Sequence, residues 1–275
     1  MAEKIQLSAA IRSNLLTLNR TNDLADRTQG RLASGLKVAS ALDDAAAFFA
    51  ARALTFRADD LNGLKDNIDQ SISTIQAAIN GIEAITSLIE QAQGIAITAK
   101  STSDTSERSS LAAQFDSLLQ NIDDLANDAS YQGQNLIQGT PDNLVVDFNE
   151  DSTSQLTVAG IDSSTAATGL NVAASANDFV ADSDIDVALT ATRSALTTLR
   201  TSAAVLGSNN TVLQTRLNFT EDLVNTLEEG AGKLTLADLN EESANLLSLQ
   251  TRQQLGLNSL SLAAQSERAI LNLFG

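Results

Sequence analysis

A heptad repeat of apolar residues in the first half of the chain constrains its fold more than any other feature. Every seventh residue from position 54 to position 96 is Leu, Ile or Ala: Leu54, Leu61, Ile68, Ile75, Ile82, Ile89 and Ala96. Ile72 and Ile79 fill companion positions four residues after two of these. A helix keeps such a stripe on one side only by winding around a partner. The repeat therefore predicts a long helix packed against another long helix.

The partner helix is predicted further along the chain by steps of four and three residues. The steps run without a break through Ile185, Leu189, Thr192, Leu196, Leu199, Ala203, Leu206, Asn210, Leu213, Leu217, Thr220, Val224 and Leu227. About forty residues, each rising about 1.5 Å, make a helix about 60 Å long. A shorter helix between the two is predicted by the same spacing in Leu111, Phe115, Leu118, Ile122, Leu125 and Ala129.

Residues 139–182 have a different character, because they are rich in Ser, Thr, Asn and Asp and contain the single proline, Pro141. Residues 144–148 and 155–159 read as two short strands. The predicted fold class is mainly α: a long antiparallel helical coiled-coil rod with one small β-hairpin region. Aromatic residues make up only 3% of the chain, which favours helix-on-helix seams filled by Leu, Ile and Ala over an ordinary globular core.

The two ends of the chain carry apolar stripes that one intramolecular partner cannot cover. The first helix has Ile11, Leu15, Leu18, Leu32 and Leu36 on its seam, interrupted by the polar Asn22 and Gln29. The last segment has one stripe at Leu239, Leu246, Leu257, Leu260 and Leu271, a second at Leu247, Leu255 and Leu262, and Phe274 at its end. Two stripes need more than one neighbour, so we expect these ends to pack into other subunits.

Charge and composition exclude several classes of function. The net charge is −17, which disfavours nucleic acid and anionic membranes as partners. It is concentrated in residues 41–235, with nine Lys/Arg against twenty-seven Asp/Glu. Cysteine and histidine are absent, so neither a thiolate metal site nor most catalytic chemistry is available, and we expect no enzyme activity, cofactor or metal. Neither a membrane span nor a cleaved secretory signal is expected.

Clustered carboxylates are the remaining candidates for chemistry. Asp43 with Asp44, and Asp59 with Asp60, could act as acid and base, and Asp182, Asp184 and Asp186 have alternate spacing suggestive of calcium. No His, Cys or EF-hand pattern accompanies them. We predict that they serve helix starts instead, since capping-box spacing occurs at Ser40–Asp43, Asp104–Glu107, Ser183–Asp186 and Thr235–Asp238.

Two long motifs resemble those of bacterial flagellins. Residues 32–46, LASGLKVASALDDAA, resemble the N-terminal motif, and residues 234–274, LTLADLNEESANLLSLQTRQQLGLNSLSLAAQSERAILNLF, resemble the C-terminal motif. With the matching order of helices, the resemblance covers about four fifths of the chain. Phe48, Phe49 and the opening MAEKIQLSAAIRSNLL depart from the common pattern, which suggests a divergent branch.

The resemblance implies a minimal, secreted structural subunit that self-assembles into the extracellular flagellar filament for swimming motility. It divides the chain into an N-terminal inner-core helix (1–40), outer-core helices (41–138), the hairpin and loop (139–182), the long C-terminal outer-core helix (183–232) and a C-terminal inner-core helix (233–275). The implied partners are other copies of the chain, an export chaperone, the filament cap and hook–filament junction proteins. The terminal helices are expected to become ordered on polymerisation.

The resemblance also predicts weak recognition by the animal innate immune receptor for flagellin. A count without gaps from residues 122–137, IDDLANDASYQGQNLI, places the receptor-contacting Arg of detected flagellins on Ala92, the neighbouring Leu on Gly94 and the Glu on Gln114. Both charges are missing here. Two other functions remain open on the sequence: a hook–filament junction protein, and a metal-dependent module that uses the Asp clusters.

Overall fold

A computed structural model describes residues 9–274 of the protein, and the side chains of all of these except residues 10, 267 and 270–274. Over this range the regular secondary structure is helical apart from one two-stranded antiparallel sheet. This confirms the predicted mainly α class with a β-hairpin. The elements are α1 (Ala9–Ser34), α2 (Ala45–Ser101), α3 (Thr105–Asp128), β1 (Leu144–Asp147), β2 (Gln155–Val158), a short 3-10 turn (Ala176–Phe179), α4 (Asp182–Thr235) and α5 (Leu239–Phe274).

The chain divides into two compact units. The terminal unit comprises residues 1–57 and 226–275, and the central unit comprises residues 58–225. The division therefore falls inside α2 and α4. Each terminal helix thus shares its unit with the first or last turns of a long helix.

The core of the central unit is formed by the predicted seams of α2, α3 and α4. The isoleucines of α2 at heptad positions, from Ile68 to Ile89, are fully buried. Leu199, Leu206 and Leu213 of α4 are fully buried as well, and Phe115 of α3 packs in the same cluster. Apolar side chains that repeat every 3.5 residues thus meet in one continuous core, as the periodicity predicted.

The hairpin packs one of its faces against this core. Strand β1 pairs with β2 in antiparallel register from Leu144 opposite Val158 to Asp147 opposite Gln155. Leu144, Val146 and Val158 are buried, while Val145 is exposed, so side chains alternate between the core and solvent. The strands end within one residue of the predicted limits.

Two aspartates seven residues apart on α3 hold the loop that follows the hairpin. Asp123 accepts hydrogen bonds from the backbone N–H and hydroxyl of Thr165, at 2.7 and 2.8 Å. Asp116 accepts the same pair from Ser175, at 2.7 and 2.9 Å. Each carboxylate therefore satisfies a loop amide that has left regular structure.

The chain then makes a left-handed turn over Asn177, Asp178 and Phe179, whose φ angles are 46°, 52° and 58°. Left-handed conformations are costly for residues with a Cβ atom. Burial offsets that cost here, because the Phe179 ring is fully enclosed and lies edge-on to Phe115 at 5.4 Å between centroids.

The helix starts follow the capping prediction only in part. Asp44, Asp104 and Asp238 each accept a hydrogen bond from a backbone N–H two or three residues later, so single aspartates cap α2, α3 and α5. Of the predicted capping boxes, Ser40–Asp43 makes the reciprocal bond, from Ser40 N–H to Asp43 Oδ2, but it does so ahead of α2. Ser40 and Asp43 close a separate turn before α2, and the Thr235 hydroxyl donates back to the Ala231 carbonyl inside α4.

Helix α2 contains the one stretch in residues 9–274 that is long and apolar enough to cross a membrane, judged by length and composition alone. Buried helices of soluble proteins satisfy the same criterion. The isoleucines of α2 between positions 68 and 89 face the core of the central unit, which accounts for its composition.

Candidate assembly surface

The predicted seam of α1 is covered by α5 within the terminal unit. Ile11 is buried, and Leu15, Leu18, Leu32 and Leu36 are half-buried. The two helices approach closely at Gly256, where a Cβ atom would lie 3.2 Å from Leu18 Cδ1. The apolar seam of α1 is therefore largely buried by contacts within one chain.

A main-chain clasp joins the end of α1 to the junction between α4 and α5. The backbone N–H groups of Lys37 and Val38 donate to the Thr235 carbonyl at 2.7 and 3.2 Å, and Ala237 N–H donates to the Gly35 carbonyl at 3.0 Å. Gly35 has a φ of +71°, a left-handed conformation that ends α1 and that glycine adopts at low cost. The clasp sets the register in which α1 and α5 meet.

A partly buried ion pair lies next to the clasp. Arg31 donates to Glu242 Oε1 at 3.0 Å, and the Glu242 side chain is only 10% exposed. Further along α1, the Oδ1 atom of Asn22 is buried without a hydrogen-bond partner in the described part of the chain. The sequence pointed to Asn22 as a polar interruption of the seam but contained no signal for the Arg31–Glu242 pair, whose members lie 211 residues apart.

Helix α5 turns its second stripe away from α1. Leu247, Leu255 and Leu262 are 68%, 62% and 69% exposed. Of the first stripe, Leu246 and Leu260 are half-buried, while Leu239 and Leu257 are about half exposed. The side chains of the last two predicted seam residues, Leu271 and Phe274, lie outside the described residues.

Two leucines of α1 that the sequence reasoning missed add to the exposed apolar surface. Leu16 and Leu24 are 60% and 46% exposed. The signal was present, because Leu15–Leu16, like Leu246–Leu247, is a pair of adjacent leucines. Neighbouring residues on a helix point about 100° apart, so both members of such a pair cannot face the same partner.

Of the two Asp pairs, the one before α2 has structural partners. Asp43 accepts hydrogen bonds from the backbone and hydroxyl of Ser40 and from Ala39 N–H, and these hold the pKa of the Asp43 carboxyl below its ordinary value. Asp44 caps α2. Asp59 and Asp60 are exposed on the same helix. Among the described residues no group of three Asp or Glu side chains is placed to hold a metal ion.

The three alternate aspartates at the start of α4 point to three different partners. Asp182 accepts from Arg108 Nη2 at 2.6 Å, Asp184 accepts from Asn177 Nδ2 at 3.2 Å, and Asp186 pairs with Lys100. Arg108 is buried and also donates to two backbone carbonyls, so it fixes the α2–α3 turn to the start of α4. Each aspartate thus has its own partner, and the three carboxylates do not converge on one metal-binding site.

The positions counted for the immune receptor differ in exposure. Ala92 is fully buried in the core of the central unit, whereas Gly94 and Gln114 are exposed. Gly94 and Gln114 line an open groove between α2 and α3 with Gln91 and other uncharged residues. A long side chain at position 92 would have to enter the core, so the count without gaps does not place that position on a surface a receptor could touch.

The model of the bacterial flagellin N-terminal helical region matches residues 5–142, and that of the bacterial flagellin C-terminal helical region matches residues 189–274. The matched ranges contain both motifs that resembled this family, and they leave out residues 143–188, which include both strands, the loop after them and the start of α4.

Two similar proteins match over nearly their whole length. Flagellin FljM of Caulobacter vibrioides is 35% identical over 94% of each chain, and flagellin FljK of the same organism is 34% identical over 98% of each. A flagellin of Brucella melitensis is 33% identical over 56% of this chain and 57% of its own. The chain therefore belongs to the bacterial flagellin family, and it is a non-enzymatic structural subunit that self-assembles into a flagellar filament.

Proposed function

We propose that the apolar surface of the terminal helices forms the polymerisation seam of this flagellin. The observation that carries the proposal is the exposed stripe of Leu247, Leu255 and Leu262 on α5, which α1 leaves uncovered. Fully burying one leucine stabilises an interface by about 1.5–3 kcal/mol. The complete set consists of Ile11, Leu15, Leu18, Leu32, Leu36, Leu246, Leu247, Leu255, Leu257, Leu260, Leu262, Leu271 and Phe274.

The terminal unit is the inner core of the filament in this proposal, and the central unit is the outer core. Helices α1 and α5 become fully ordered only when neighbouring subunits cover the second stripe. Apolar burial between subunits then offsets the entropy lost in ordering the helices. Folding of the terminal unit and polymerisation are one step.

The subunit reaches the filament by secretion through the flagellar export apparatus. An export chaperone, the filament cap and the hook–filament junction proteins are its further partners. The proposal rests on membership of the family and on the absence of cysteine, which avoids disulfide formation during transit.

Removing the end of α5 tests the seam. A chain lacking residues 257–275 should stay soluble and largely helical by circular dichroism and should not form filaments when seeded with sheared filament ends. The double variant Leu255→Asp/Leu262→Asp should behave in the same way, because it places charges in the stripe. Gln120→Asp, an added charge on an exposed α3 residue of the central unit, is the matched control. Filaments of normal length from either seam variant would refute the proposal.

We also propose that this flagellin stimulates the animal flagellin receptor weakly. The groove between α2 and α3 presents the uncharged Gln91, Gly94 and Gln114, so it lacks the charged contacts that detected flagellins are expected to supply. Because Ala92 is buried, the gain-of-function variant is Gln91→Arg/Gln114→Glu on the exposed rim. Reporter cells should respond more strongly to this variant than to the wild type. Full activation by the wild type would contradict the proposal.

A further inference from the structure

A polar cleft lies inside the central unit, between α2, the turn at residues 131–134 and strand β1. Its volume is about 430 Å³, which is within the usual range for a small-molecule site. Strand β1 forms one wall over its whole length, from Leu144 to Asp147. The opposite wall is α2, which contributes the polar residues Asn67, Gln70, Ser71 and Thr74.

The hydroxyl groups in this cleft have already donated their hydrogens within the chain. Ser71 Oγ donates to the Asn67 carbonyl at 2.7 Å, and Thr74 Oγ1 donates to the Gln70 carbonyl at 3.1 Å. The Tyr131 hydroxyl donates to Gln70 Oε1 at 2.8 Å. Because a hydroxyl has one hydrogen and two lone pairs, all three oxygens can meet a ligand only as acceptors. A ligand that fits this cleft must therefore bring hydrogen-bond donors.

The cleft also carries one negative charge without a compensating cation. Asp147 lines the cleft, and its Oδ1 atom is buried without a hydrogen-bond partner among the described residues. A buried acceptor without a donor is costly, so a donor that compensates this carboxylate would be stabilising. The described residues that line the cleft include no Lys or Arg. The surrounding unit, with six Lys/Arg against twenty-three Asp/Glu, creates a field that attracts cations.

We propose that this cleft binds a small organic ammonium compound of the aliphatic diamine class. An ammonium group has three donors and no acceptor, which matches one carboxylate surrounded by hydroxyl oxygens. The aliphatic part of the ligand packs against Leu64 and Val145, which line the same cleft. A metal ion fits less well, because the cleft is much larger than a bare ion and no three carboxylates converge in the described part of the chain.

The single tyrosine of the chain provides a direct measurement. The sequence contains one Tyr and no Trp, so the tyrosine fluorescence of the protein comes from Tyr131 in the wall of the cleft. Putrescine added to free full-length subunits should change this fluorescence along a saturable curve, and calorimetry should give the same Kd. The diol of the same chain length should produce no change, because it has no charge to offer Asp147.

Two matched substitutions locate the binding site. Asp147→Asn keeps the shape of the side chain and removes its charge, so the Kd for putrescine should rise about tenfold or more. Asp124→Asn is the control, because it makes the same change of charge at an exposed α3 residue that does not line the cleft, and its Kd should equal that of the wild type. Val145→Lys adds a cation at a side chain that is 52% exposed, and should weaken binding even if Asp147→Asn fails to fold.

Several outcomes would overturn the proposal. A fluorescence change that does not saturate, or an equal rise in Kd for the Asp147 and Asp124 variants, would show only general attraction of cations to an acidic protein. Equal binding of the diol would contradict the role of charge, and tighter binding of calcium chloride than of putrescine would indicate a metal site. Because free subunits are used, the result does not depend on whether the terminal seam drives polymerisation.

Discussion

The terminal and central units differ in charge and in the use they make of apolar residues. The terminal unit contains eleven Lys/Arg and eleven Asp/Glu, whereas the central unit contains six and twenty-three. The central unit encloses its heptad isoleucines completely, and the terminal unit leaves a row of leucines on α5 exposed. An apolar seam that is covered within the chain supports the folding of one subunit. An apolar seam that stays exposed, on a unit without net charge, supports association between subunits.

The largest expected effect lies in the central unit. Leu213→Asp places a carboxylate at a fully buried seam position, which should cost several kcal/mol because the charge finds no partner there. Circular dichroism of the monomer should show a lower melting temperature or lost helix. Gln214→Asp, next to it and exposed, should leave the melt nearly unchanged. Equal melts for the two variants would show that the central seam does not stabilise the monomer.

Two glycine substitutions on α2 also test the packing of the central unit. Their effects on the free energy of unfolding should be of intermediate size. A Cβ atom at Gly81 would lie 2.6 Å from Ile137 Cδ1 and 2.8 Å from Ala129 Cβ, so Gly81→Ala should destabilise the monomer by about 1–3 kcal/mol through overpacking. At Gly63 no atom lies within 4 Å, and Gly63→Ala should stabilise the helix by about 0.5–1 kcal/mol. Chemical denaturation of both variants measures the two opposite shifts. A stabilised Gly81→Ala would mean that the 130–137 segment packs less closely on α2.

The ion pair of the terminal unit should matter to filaments and not to monomers. Arg31→Met leaves the carboxylate of Glu242 partly buried without its partner, which should cost about 1–3 kcal/mol. If the terminal unit becomes ordered on assembly, calorimetry should show a lower melting temperature for filaments and an unchanged melt for free subunits. Arg12→Met, an exposed arginine of the same helix, is the control. A lower melting temperature for free subunits of Arg31→Met would show that the ion pair already stabilises the monomer, which contradicts the prediction.

The smallest effect is a pH dependence at the start of α2. The folded-state pKa of Asp43 is held below its ordinary value by hydrogen bonds from Ser40. The ionised carboxylate therefore stabilises this turn at pH above its unfolded pKa of about 4, and the contribution is lost as the pH falls through the lowered folded pKa. An NMR titration should show a higher Asp43 pKa in Ser40→Ala than in the wild type. An unchanged pKa would mean that the Ser40 hydroxyl contributes nothing measurable.

The sequence predicted the helices and the hairpin well, because their signals are periodic and local. The heptad positions of α2 and the four-and-three steps of α4 identified the core residues, and the two leucine stripes of α5 indicated more apolar surface than α1 alone could cover. The contacts that set the loops could not be predicted. Asp123 with Thr165 and Asp116 with Ser175 join residues 42 and 59 positions apart, and a single Asp in a polar segment carries no sign of its partner.

Two predictions fail for the same reason. Spacing along the chain does not say which way a side chain points or at which turn it acts. The hydroxyl-to-carboxylate spacing of Ser40 and Asp43 was interpreted as a capping box, but these residues form a turn and Asp44 caps the helix. The count that reached Ala92 ignored the periodicity of α2, in which Ile85, Ile89 and Ala96 face the same core. Position 92 lies on the same side of α2 as these residues and therefore points inward.

The clasp between residues 35–38 and 235–237 has a consequence for the order of events during synthesis. Helix α1 leaves the ribosome before the other described helices, and its partner α5 leaves after them. About two hundred residues must be made before Arg31 can meet Glu242. The contacts of α2 with α3 are closer along the chain and can form earlier, since short loops close more readily. Until α5 has been made, the nascent chain therefore presents the α1 face without its intramolecular partner.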